Sequence, residues 1–275
     1  MKKITFSTLI VFIMLYTQSS CRKVFDYIHD HADGHESLCP ITQLRALGAG
    51  HERDTFNVIY NAHGDPVSLL ATNSVPNATN VDQYFRYDIR GRLSDYILTF
   101  TQATGVLVWH KYSYPSNNFV TDTVINYTGT VDGPPPIAKE SAFGYLIFGY
   151  TMDAFGRITK IWSVSPDPQT PPVLSSTIVY DANGNKPLSR TDLTYDNKIN
   201  PYRTNKIWQF VYNDYSRNNV LPADHSFTPV YNDFGLPLTI PNLLPFFISN
   251  FALENTGTQI EIDYACSAPK GPINY

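Results

Sequence analysis

The chain has 275 residues, 43% hydrophobic, 14% aromatic and 16% charged, with a formal net charge of −4 at neutral pH. That apolar content is enough to bury a core and excludes wholesale disorder. Basic residues never run longer than the pairs Lys2-Lys3 and Arg22-Lys23, which argues against a nucleic-acid partner.

From the amino end, Lys2 and Lys3 precede an apolar run, Ile4 to Tyr16, that is too short to span a bilayer. Residues 1–20 therefore read as a secretory signal peptide. The segment Thr17-Gln18-Ser19-Ser20-Cys21 resembles the lipobox of bacterial lipoproteins, with Gln18 where that motif usually has Leu. The resemblance implies a lipid on Cys21 and a membrane partner reached through it, the alternative being cleavage and release. Loss of Lys2 and Lys3 takes the formal charge from −4 to −6 and leaves 275 − 20 = 255 residues.

Residues 21–38 read as a lipidated tether, and residues 39–275 as a single β domain. The tether gathers His29, His31 and His35 among Asp26, Asp30, Asp33 and Glu36. Those are metal-ligand types, and a hydrated spacer has the same composition. No second ligand cluster with established spacing accompanies them, so neither a metal site nor a cofactor is assigned. Cys39 and Cys266, an even number in an exported chain, are candidates for a disulfide closing a loop of 227 residues (266 − 39), or are two buried thiols.

Beyond Pro40 the hydrophobic period is two. Phe56, Val58 and Tyr60 alternate with Thr55, Asn57 and Ile59, and the stretch from Val106 to Tyr114 behaves alike. The strands are punctuated by a pentad: an aromatic or Met, then Asp or Asn, two free positions, and Gly. It begins at Tyr60, Tyr87, Met152, Tyr180 and Tyr231. Asn61, Asp88, Asp153, Asp181 and Asn232 are suited to cap their own backbone, and Gly64, Gly91, Gly156, Gly184 and Gly235 to take positive φ. Such turns close hairpins with a bulge. Tyr60 to Tyr87 and Tyr87 to Tyr114 are 27 residues each, and Met152 to Tyr180 is 28, which makes each interval one up-and-down unit. The expected fold is all-β: a large antiparallel meander of roughly fourteen strands, curled or barrel-like.

Three connections are long: Asn73 to Asp82, Gly129 to Lys139 and Ser165 to Val173. The second and third are rich in proline. They are either the binding surface or ordinary linkers. The pattern further predicts a strand over Lys206 to Tyr212 and a last strand over Thr258 to Ala265. Between them, the apolar run Ile240 to Leu253 is either a plug at the sheet end or an exposed patch.

The pentads at Tyr87, Met152 and Tyr180 resemble the YD repeats of RHS-type proteins, and carry over hairpin geometry alone. More of the chain is similar to a group of uncharacterised cell-envelope lipoproteins of the Bacteroides lineage. The likeness rests on Cys21, the block Tyr195-Asp196-Asn197-Lys198-Ile199-Asn200-Pro201-Tyr202, the block Ser216-Arg217-Asn218-Asn219, and the stretch starting at Tyr231-Asn232-Asp233-Phe234-Gly235. This resemblance implies a porin-like or barrel-like sheet, lipid-anchored at the outer membrane of a Gram-negative bacterium, and names no reaction.

G-x-S-x-G, H-E-x-x-H and G-x-x-x-x-G-K are all missing from the sequence, and no carboxylate pair is set apart by context. No catalytic residue is assigned. The reading is a binding or scaffold module whose partner is a glycan or an envelope protein. A carbohydrate-active enzyme and an integral outer-membrane barrel are the alternatives.

Overall fold

The computed structural model of the chain describes residues 39–48, 51–72, 81–100, 106–128, 141–241 and 259–266. Residues 1–20, expected as a signal peptide, Cys21 and the histidines of the expected tether, most of the first two long connections and nearly all of the apolar run after Pro241 lie outside them.

Strands β1 (Ile41–Gly48), β2 (His51–Tyr60), β3 (Pro66–Ala71), β4 (Val81–Tyr87) and β5 (Leu93–Phe100) follow one another as antiparallel neighbours. The meander continues through β6 (Val106–Ser116), β7 (Phe119–Thr128), β8 (Ser141–Met152), β9 (Ile158–Val164) and β10 (Val173–Thr177). At the other end β1 pairs with β14 (Gln259–Tyr264), which pairs with β13 (Thr239–Pro241). The result is one twelve-stranded sheet running from β10 to β13, open at both ends. A separate pair, β11 (Leu193–Ile199) with β12 (Asn218–Pro222), brings the described strands to fourteen. The chain is thus nearly all-β with a large antiparallel meander, and the sheet is not closed into a barrel.

The five turns share one geometry. The Asp or Asn N–H donates to the carbonyl four residues on at 2.9 Å, and the Gly N–H donates back to the Asp or Asn carbonyl at 2.9–3.1 Å. Oδ1 of the same residue accepts two further backbone N–H groups at 2.8–3.0 Å. Every closing Gly has φ between +71° and +83°, a region costly to residues with a Cβ. Three of the turns join neighbouring strands of the large sheet. Asp181 to Gly184 does not: Asn185 and Lys186 bond instead to Asn218 and Ser216, and Pro187 has no N–H to offer a ladder. Asn232 to Gly235 closes only the isolated bridge Tyr231–Pro237.

A tyrosine of the next unit, at a pentad head or at the equivalent strand end, fastens each turn. Tyr87 OH donates to the Pro66 carbonyl at 2.6 Å, Tyr114 OH to Leu93 at 2.7 Å, Tyr180 OH to Ile158 at 3.0 Å and Tyr264 OH to Pro237 at 3.0 Å. Each acceptor lies two residues past the turn glycine of a neighbouring unit. Tyr60, at the first unit, reaches the Ile41 carbonyl at 2.8 Å. Where Arg follows the glycine it joins this clasp. Arg92 binds Asp88 and lies over Tyr114, and Arg157 binds Asp153 and lies over Tyr180.

One face of the sheet carries the core, built on Leu44, Phe56, Leu69, Phe85, Leu98 and Ile260. It is covered by a short 3-10 helix (Pro201–Thr204) and by α1 (Lys206–Val211), whose Trp208 sits edge-on to Phe85 at 5.3 Å. The sequence reading placed a strand at Lys206 to Tyr212, and the structure corrects it. Asn205 caps the helix by accepting the Ile207 N–H, and Asn213, at φ 51°, ends it. A run of six residues cannot separate strand from helix by period, so the caps decide. The opposite sheet face buries Ile97 and Trp109, with Arg86 and Lys111 lying over the Trp109 ring, so β5 and β6 carry apolar residues on both faces. Cys39 and Cys266 form a disulfide, with Cα atoms 4.0 Å apart, at the paired ends of β1 and β14.

Candidate functional site

Two of the blocks singled out in the sequence, 195–202 and 216–219, lie against each other along β11 and β12. Short polar side chains join them. Asp196 Oδ1 accepts the Asn219 backbone N–H at 3.0 Å, and its Oδ2 accepts Asn219 Nδ2–H at 3.0 Å and the Tyr231 hydroxyl. Asn218 Nδ2 donates to the Lys198 carbonyl at 3.0 Å, and the Asn200 N–H donates to the Arg217 carbonyl at 2.9 Å. The turn at Asp181 is drawn in as well, Asn185 exchanging two hydrogen bonds with Asn218. Asn, Asp and Ser satisfy nearby backbone groups at short range, which is why this stretch is held by side chains more than by ladder bonds.

This polar knot walls a cleft of about 260 Å³. Tyr202 and Tyr212 form one side, and Leu193, Val220, Ile240 and Pro241 supply aliphatic surface. Leu188 and Ser189 stand at its more open side. The polar lining is Lys186, Asn200, Asp214 and Asn219. Lys186 Nζ is 3.6 Å from Asp214 Oδ2, while Asp214 Oδ1 accepts the Ser216 N–H at 3.0 Å. The charges inside the cleft therefore cancel. Asn219 is 4% exposed and its Oδ1 has no hydrogen-bond partner among the described residues, although Nδ2 of the same side chain is used. A buried acceptor left vacant costs free energy unless something supplies a donor.

The cleft wall is tied to the sheet. Tyr212 OH donates to Gln83 Oε1 at 2.7 Å, the oxygen that Tyr96 OH also reaches, at 3.0 Å. Burial pushes the hydroxyl pKa values of Tyr202 and Tyr212 well above the ordinary tyrosine value, and that of Tyr195, bonded to the Lys186 carbonyl, up to about 12. All three are hydrogen-bond donors at neutral pH.

A second polar group lies under α1 on the sheet. Asp122, 1% exposed, accepts from His110 Nδ1 and from Tyr150 OH through Oδ2, both at 2.9 Å. A carboxylate acceptor places the proton on His110 Nδ1. This hydrogen-bonded trio packs among Tyr96, Tyr112, Phe148 and Phe210, and no serine or cysteine among the described residues is bonded to it.

Of the residues predicted from sequence, Asn61, Asp88, Asp153, Asp181 and Asn232 cap their turns, Gly64, Gly91, Gly156, Gly184 and Gly235 close them, and Cys39 is bonded to Cys266. Cys21, His29, His31 and His35 lie outside the described residues, among which no group of three metal-ligating side chains occurs. Of the three long connections, only Ser165 to Val173 is described in full. It is exposed and contributes nothing to the cleft. Lys186, Asp214 and Leu188 carried no sequence signal, since their meeting depends on the two blocks pairing. No known protein-family model matches the chain, and comparison with curated proteins likewise found no match.

Proposed function

We propose that this protein is a lipid-anchored envelope lipoprotein that works as a binding module, with the cleft between β11, β12 and β13 as its ligand seat. The observation that carries the reading is a preformed cleft of about 260 Å³, braced from below by Tyr212 on Gln83, whose aliphatic wall of Leu193, Val220, Ile240 and Pro241 stands beside Asn200 and the Lys186–Asp214 pair. Small-molecule sites have this character: mostly apolar walls with a few placed polar groups.

The anchoring half of the proposal comes from Lys2, Lys3, the apolar run to Tyr16 and Cys21. An outer-membrane location in a Gram-negative bacterium, with no nucleic-acid partner, follows from the same features and from the resemblance to Bacteroides-type lipoproteins. A glycosidase needs two carboxyl groups facing one bond. Asp214 is the one carboxylate among the described residues lining the cleft, and it is already held by Lys186 and Ser216. An integral barrel needs a closed sheet, and the free edges β10 and β13 lend it no support.

Saturation-transfer NMR of the full chain with blocked amino acids and methyl glycosides tests the binding reading. At least one class should give transfer that Leu188→Trp abolishes. No transfer from any probe would contradict it. Intact-mass analysis of the N-terminal peptide tests the anchor, which requires an acylated Cys21.

A further inference from the structure

We infer that this chain pairs with a second copy of itself along the outer edge of β10, the two strands running antiparallel about a two-fold axis near Ser175. The inference is independent of the cleft, to which β10 contributes no residue.

The two ends of the large sheet differ. At β13 the Leu238 N–H donates to the Val230 carbonyl at 2.6 Å, the Val230 N–H donates to Thr239 Oγ1 at 3.0 Å, and Pro241 has no N–H to give. That end is stopped by the chain's own turn. β10 bonds to β9 on one side and to no strand on the other among the described residues, and all five of its residues are exposed. Its outer row of N–H and C=O groups is a template for a further extended strand.

Natural sheet edges are commonly blunted by charged side chains or by proline. From Gln169 to Tyr180 no residue is charged, in a chain that is 16% charged, and from Val173 to Tyr180 none is proline. Apolar side chains stand out there instead: Val173 is 64% exposed, Leu174 45% and Val179 68%. Val173 lies beside Ser163 and Leu174 beside Trp162, so the edge is apolar on both faces of the sheet. A bulge between Leu174 and Ser176 twists the strand and keeps the paired stretch short.

Neutrality selects the occupant. A strand chosen by charge finds no counter-charge on this edge, whereas the edge accepts its own reverse without conflict. Antiparallel pairing centred on Ser175 sets Val173 against Thr177 of the second copy and Leu174 against Ser176, so no like charges meet. Five residues a side is well below the roughly 20–30 of a standard interface, so the pair is weak and forms at about 0.1–1 mM protein.

Sedimentation equilibrium of the full chain, from about 10 μM to about 1 mM, is the test. The weight-average mass of the native chain should climb towards twice the monomer value. Ser175 is exposed and faces its own copy across the axis, so Ser175→Lys alone and Ser175→Glu alone should each weaken association about fivefold, because like charges then oppose. An equimolar mixture of the two variants should restore the native rise, and circular-dichroism melts check that both are folded. A native chain that stays monomeric throughout would overturn the inference. So would association that neither substitution weakens, or a mixture no more associated than either variant alone.

Discussion

The guanidinium of Arg92 lies 4.2 Å above the ring centre of Tyr114 while its Nε and Nη2 hold Asp88 Oδ2 at 2.9 and 2.7 Å. Arg157 repeats the arrangement on Tyr180 and Asp153. Turn and neighbouring unit are thereby fastened together, so in these two units the repeat extends past the pentad to the Arg after the glycine.

A double-mutant cycle on Arg92→Met and Tyr114→Leu, read by urea denaturation, should return a coupling of about 0.5–1 kcal/mol, the range of a partly exposed cation–π pair. Independent effects of the two changes would show that the stacking does not fasten the units.

Substitution of Gly91 by Ala should cost about 1–2 kcal/mol, because φ is +71° there and a Cβ would meet nothing within 4 Å. The cost is therefore backbone conformation alone, and Gly91→Asn should recover part of it. An equal loss for Ala and Asn would contradict this assignment.

Much of this was legible in advance. Asp or Asn with a Gly three residues on has one economical backbone solution, so the turns, the hairpins and the meander could be read locally. The ends of β1 and β14, where Cys39 meets Cys266, required knowing that strands 227 residues apart are neighbours, and spacing could only leave the bond as an alternative. The helix at Lys206 is not legible from period, because Ile207, Trp208, Phe210 and Val211 fit either one, and an Asn such as Asn205 is as common in turns as at helix caps. The cleft was illegible for a different reason: blocks 195–202 and 216–219 stood out as a resemblance, but their pairing through Asp196 and Asn219 is tertiary.

Alkaline pH should unfold the protein cooperatively. Burial raises the Tyr114 and Tyr195 hydroxyl pKa values to about 12, against about 10 in an unfolded chain. Over that window the folded state binds more protons than the unfolded one, so stability falls as pH rises from about 10 through 12. Absorbance of tyrosinate and far-ultraviolet circular dichroism should change together. Ionisation of most tyrosines near pH 10 with the fold intact would refute the account of their burial.

Asp122→Ala should destabilise the domain by about 3 kcal/mol, since it leaves the His110 Nδ1–H and Tyr150 hydroxyl without the acceptor they share. Chemical denaturation reads this directly, and a loss under about 1 kcal/mol would mean that the trio adds little to stability.

The central claim is that residues 195–202 and 216–220, joined by Asp196, form a rigid wall for the cleft. Amide hydrogen exchange measured residue by residue tests it most directly. Protection of Asn218 and Asn219 comparable to that of Ile97 and Val108 in the sheet core is the predicted result. Exchange at these asparagines as fast as in the exposed edge strand Val173–Thr177 would contradict it.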